Sequence, residues 1–145
     1  MKNYQKVEQI LSDISALEGA IGVLQWDQEV IMPEGATPQR GKQMATLSAL
    51  LHEKLTSFEM RDALMNASGE KLNETQVANL REAQRDFDRA TKIPEQLVRD
   101  WSESTVRAHS VWIESRKEKN FQKFRPELEH LVQLAKKRAH SIDST

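Results

Sequence analysis

The sequence predicts an all-α chain of about six helices in one domain, residues 1–145, forming an antiparallel, bundle-like array without a sheet. Three observations carry this. Apolar residues recur at spacings of three and four along almost the whole chain. No segment sustains the period-two alternation of a half-buried strand. Proline and glycine gather in short clusters that separate the periodic stretches.

Tyr4, Val7, Ile10, Ile14, Leu17, Ile21 and Leu24 fall on one face of a long first helix. Gly19 and Gly22 lie inside that pattern, where each costs roughly 1 kcal/mol against alanine. Close packing by a neighbouring helix is the favoured reason for them, a kink the second. The stretch "MPEGATP" breaks the pattern. Thr37 is then the expected cap of a second helix, with Pro38 at its first position. Met44, Leu47, Leu51 and Leu55 form the apolar stripe of that helix.

Thr56 to Glu59 reads as a capping box for a short third helix ending at Gly69. Asn73 and Gln76 read as another, opening a fourth helix with Leu80, Phe87 and Ala90 inward. "KIPEQ" ends it, and Pro94 starts a fifth helix carrying Leu97, Trp101, Thr105, Ala108 and Trp112 on one face. Pro126 starts the sixth, with Leu128, Leu131, Ala135 and Ala139 inward.

The balance of 21 basic and 22 acidic residues, net charge −1, does not call for nucleic acid or an anionic membrane. Cysteine is absent, which excludes a thiol nucleophile and a cysteine-based zinc site. Without a signal-like or membrane-spanning apolar run, the expectation is a soluble, cytoplasmic protein. Leu, Ile, Val and Phe make up only 33 of the 145 residues. So lean a core implies long exposed helices or a packing partner outside the chain.

His52-Glu53 opens like the H-E-x-x-H zinc motif, but the fifth position is Thr56. No two of His52, His109, His130 and His140 are three or four residues apart, so no helix face presents a histidine pair. Glu127 and His130 form a single Glu-x-x-His, half of what a di-iron bundle needs. Arg81, Arg85 and Arg89 make a basic stripe that suits phosphate or carboxylate. Glu82, Asp86 and Asp88 interleave at pairing distance, which favours a charge-laced face. Arg85 or Arg89 is expected to be buried and paired. Trp26, Asp27 and Glu29 close the first helix; two carboxylates there suit acid–base work, but such residues more often fix a loop or bind a neighbouring helix, and spacing alone does not make them catalytic. No nucleophile elbow or phosphate loop is present.

At "WDQEVIMPEGATPQRGKQMATLSALLHEKLT" the chain resembles the N-terminal part of the thermostable metallocarboxypeptidases of the carboxypeptidase Taq type. The resemblance is carried by Trp26, Asp27, Met32, Pro33, Arg40, Ala45, Thr46, Leu47, Leu50, His52, Glu53, Leu55 and Thr56. It continues through Arg81, Glu82, Arg85, Phe87, Arg89, Ala90 and Pro94. His109, Trp112, Asn120, Phe121, Phe124, Pro126 and Leu128 complete it. It implies that the family's H-E-x-x-H and its further glutamate ligand lie later than any residue here. His52 and Glu53 are then structural.

The resemblance also implies a zinc-dependent enzyme that removes C-terminal residues from peptides, often as a dimer. This chain would be a helical scaffold or groove wall without catalytic or metal residues. Its expected partners are the missing catalytic region or a second copy. A free-standing binding or dimerisation module on the same scaffold is the alternative.

Overall fold

The computed structural model describes residues 2–143. Its elements in order are α1 (Lys2–Val30), a 3-10 turn (Glu34–Ala36), α2 (Thr37–Leu55), α3 (Phe58–Ala67), α4 (Glu74–Thr91), α5 (Glu95–Lys117) and α6 (Phe121–Asp143). Among the described residues there is no strand, and no helix is long and apolar enough to cross a membrane.

The expected stripe of α1 divides in two. Tyr4, Val7, Ile10 and Ile14 are buried with Met60, Ala63, Leu64 and Ala67 of α3 and Ala83 and Phe87 of α4. Glu70 fastens the start of α1 here: its carboxylate accepts from the backbone amides of Asn3 (3.0 Å) and Tyr4 (3.2 Å). Leu17, Ile21 and Leu24 are only half-buried. Gly19 and Gly22 were expected to mark close packing, yet a Cβ at either would meet nothing within 4 Å. Their side of α1 has no neighbour among the described residues. α1 runs as one continuous helix through both glycines.

A second packing region joins α2, α5 and α6. α2 and α5 lie close at Gly41, where an added Cβ would be 3.3 Å from Glu103 Cγ. Met44, Ala45, Ala49, Leu97, Val106, Ala108 and Leu134 are buried in this part of the fold. No tryptophan belongs to the Tyr4 cluster. Trp101 lies under the Arg138 guanidinium and Trp112 under that of Arg116, at 5.0 and 4.9 Å.

Several helix ends differ from expectation. Thr37 caps nothing with its side chain, because the 3-10 turn runs straight into α2; its hydroxyl donates to the Glu34 carbonyl instead. The cap of α3 is Ser57, whose oxygen accepts from Met60 N at 3.1 Å. Thr56 belongs to the turn before, donating to the His52 carbonyl. The Asn73–Gln76 capping box forms as read. Pro94 flanks α5, which starts one residue later.

Pro126 does not open α6, which begins at Phe121 with the proline inside. The reason is the turn before it. Lys119 takes a left-handed φ of 52°. Asn120 N then donates to Ser115 O and Lys119 N to Arg116 O, the paired bonds of a Schellman stop. The chain reverses there within three residues, and α6 starts at once. Its inward face is also rotated from the expected one. Leu134 is buried and Leu131 half-buried, while Leu128, Ala135 and Ala139 are exposed. Polar contacts to α5 set this face: Glu127 accepts from Arg107, and His130 bonds Ser104 at 3.1 Å.

Candidate functional site: the latched end of α1

The least generic stretch of the sequence, Trp26 to Pro33, comes to lie against α2 and α5. Two side chains fix it. Arg40 is buried on α2, on the same side as Met44, one turn on. Its Nη2 donates to the Asp27 carboxylate and its Nη1 to the Leu24 carbonyl. Its Nε donates to Gln43 at 3.2 Å. The guanidinium thus ties the last two turns of α1 to α2 through one side chain and one backbone carbonyl.

His109 on α5 holds the other side. Gln28 Nε2 donates to its Nδ1 at 3.4 Å, and its Nε2 lies 3.2 Å from a carboxylate oxygen of Glu29. A proton on Nε2 satisfies both contacts. The ring lies 5.8 Å from that of Trp112, tilted by 32°. Beside it, Ser110 donates to the Thr37 hydroxyl at 3.0 Å. A cavity of about 260 Å³ opens here, with Gln28, Met32, Thr37, Arg107 and His109 in its walls.

The two carboxylates that closed the first helix therefore serve different partners on different helices. Asp27 is neutralised by Arg40, and Glu29 faces His109. An acid–base pair needs both groups directed at one reacting centre; here they tie a helix end to its neighbours.

Most of the remaining signature residues lie away from this site. Trp26 and Pro33 are exposed. His52 is half-buried near the α4–α5 turn, beside the backbone of Ile93 and near Glu95, and burial lowers its pKa from 6.5. Glu53 is exposed beside Ile10 and Leu50. Phe121, Phe124 and Trp112 line a shallow cavity at the α5–α6 turn.

Arg81, Arg85 and Arg89 are all exposed, which corrects the expectation of a buried arginine on α4. Arg85 pairs with Glu82 at 2.7 Å and Asp86 at 3.7 Å on its own helix. Ala83 and Phe87 take the buried face, and residues two apart on a helix point about 200° away from each other. The buried arginine is Arg40. Its position four residues before Met44 was a readable signal. Gln28, Thr37 and Ser110 carried none, since their partners lie far away in sequence.

Among the described residues, no three His, Cys, Asp or Glu side chains gather where they can hold one metal ion. His52, His109 and His130 each face a different partner.

A family model of metallopeptidases matches residues 6–145. The chain belongs to that family, the carboxypeptidase Taq (M32) metallopeptidases. It is 34% identical over 142 residues to thermostable carboxypeptidase 1 of Pyrococcus furiosus, covering 95% of this chain and 28% of that protein. It is 28% identical over 143 residues to thermostable carboxypeptidase 1 of Thermus thermophilus, covering 96% of this chain and 28% of that one. The M32 carboxypeptidase structure from Deinococcus radiodurans superposes with a TM-score of 0.75 at 27% identity, over all of this chain and 29% of its own. The BsuCP crystal structure shares the fold at a TM-score of 0.93 and 21% identity, over 98% of this chain and 29% of that one. The chain thus spans under a third of the length of the relatives it matches.

Proposed function

We propose that these helices are the N-terminal scaffold of a metal-dependent carboxypeptidase that removes single residues from peptide C-termini, and that they form one wall of its substrate groove. The observation that carries this is the family match across residues 6–145, together with the 28% share of the relatives' length. Zinc is the expected metal of the complete enzyme. The donor groups described here do not fit it, so no step of hydrolysis is assigned to them. On this reading Asp27, Arg40 and His109 keep the α1 end in place so that the wall holds its shape.

The test is a chimera in which residues 6–145 replace the matching segment of the Pyrococcus furiosus enzyme. Metal-dependent release of C-terminal residues is expected from the chimera and not from the isolated chain, with zinc or cobalt supplied to both. A chimera that folds and loads metal yet releases nothing would favour the free-standing binding or dimerisation module.

A further inference from the structure

The second half of α1 carries a stripe that nothing in this fold covers. Gly19, Gly22, Val23, Trp26 and Val30 follow one another at spacings of three, one, three and four, which places them along one side of the helix. Val23, Trp26 and Val30 are 65%, 57% and 62% exposed. Open space lies over both glycines. The opposite side, with Leu17, Ile21 and Leu24, is half-buried. Two glycines in a helix interior weaken it and are of use where another backbone must come close. Here that backbone is not among residues 2–143.

Charge selects the occupant. No lysine or arginine occurs from Val7 to Gln39, whereas Glu18 and Glu29 stand beside the stripe. Two copies of α1 laid along this surface would meet acid to acid. A parallel two-fold pair brings each glutamate to its own equivalent, and an antiparallel pair centred on Leu24 brings Glu18 near Glu29. Like charges at an interface oppose association. The surface fits an amphipathic helix whose apolar strip is flanked by lysine or arginine.

We propose that the Gly19–Val30 side of α1 is the seat of such a basic-flanked helix. It is supplied by the part of a family-length chain that lies beyond the segment matched here. The inference rests on the scaffold reading above and names the contact that joins scaffold to remainder. The glycines let the incoming helix settle close to the α1 backbone, Val23, Trp26 and Val30 supply apolar area, and the two glutamates orient it.

The probe is the remainder of Pyrococcus furiosus carboxypeptidase 1, without its matched N-terminal segment, titrated calorimetrically with this chain. Gly22→Leu should bind roughly tenfold more weakly or worse, because the groove is filled. Its melting temperature should be no lower than that of the parent, since leucine is the better helix former. Glu18→Lys should also weaken binding, and Phe58→Ser, on exposed α3 surface, should not. Parent binding with unchanged affinity for Gly22→Leu and Glu18→Lys overturns the contact and leaves the scaffold reading standing. No binding by the parent overturns both. Self-association abolished by Gly22→Leu overturns the basic helix in favour of a second copy.

Discussion

Arg40 and Asp27 form a cross-helix ion pair in which the arginine side chain is 9% exposed and the aspartate 32%. The same guanidinium takes the Leu24 carbonyl, so one residue of α2 closes both the side chain and the backbone of the α1 end. Arg40→Leu should destabilise the chain by about 2–4 kcal/mol, because it strands a partly buried carboxylate and removes the bond to the Leu24 carbonyl. Arg40→Lys should recover only part of this, since an ammonium cannot fork to both acceptors. Urea midpoints at constant m-value report the loss. Equal stability of Arg40→Leu and the parent would show that the pair contributes nothing net.

The exposed glycines of α1 give the opposite sign. Gly19→Ala and Gly22→Ala should each stabilise the isolated chain by about 0.5–1 kcal/mol. Space is open at both Cβ positions, so no steric loss opposes the gain in helix propensity. Thermal denaturation measures it. A drop in stability would mean that the α1 surface is covered in solution.

Lys119 holds a left-handed φ of 52° at a position where glycine has no Cβ to strain. Lys119→Gly should raise stability by up to about 1 kcal/mol, and Lys119→Val should lower it by more than that. Chemical denaturation of the two variants beside the parent decides it; identical midpoints would argue against the Schellman turn.

Burial holds His52 below the ordinary imidazole value of 6.5, opposed by the nearby Glu95 and the Ile93 backbone. The unfolded chain therefore takes up this proton more readily than the folded one. No penalty exists above pH 6.5. It accumulates as the pH falls from there through the lowered folded value, and is constant below it. His52→Gln should flatten that part of the stability–pH curve while leaving the curve above neutrality unchanged. Denaturant midpoints across the window are the measurement, and a slope unaffected by the substitution counts against burial as the cause.

Periodicity made the helices legible because each buries a stripe, and the stripe is written locally. The Asn73–Gln76 box was readable for the same reason: both partners lie within one turn. What escaped was whatever a distant element decides. Leu128 and Ala135 look inward by spacing, but polar contacts from Arg107 and Ser104 turn another face of α6 toward α5. Pro126 looks like a helix start, but the Lys119 reversal had already begun the helix. At the α1 end, spacing marked Asp27 and Glu29 and favoured a loop-fixing or helix-binding role over acid–base work, without naming their partners. Their partners Arg40 and His109 lie 13 and 80 positions away, beyond any local pattern. The wide gap between a lean core and a long chain was readable from composition, and exposed Val23, Trp26 and Val30 are where it surfaces.

The placement of the indole rings governs what light can report about this molecule. Trp26 sits in solvent on α1, while Trp101 and Trp112 lie on α5 beneath guanidinium groups. The cluster around Tyr4, Met60, Leu64 and Phe87 has none. Indole emission therefore follows the α2–α5–α6 half and is blind to the other, which only far-ultraviolet dichroism or amide exchange can follow. A melting curve taken by emission alone describes one half of the fold, and agreement between the two signals is the direct sign that both halves come apart together.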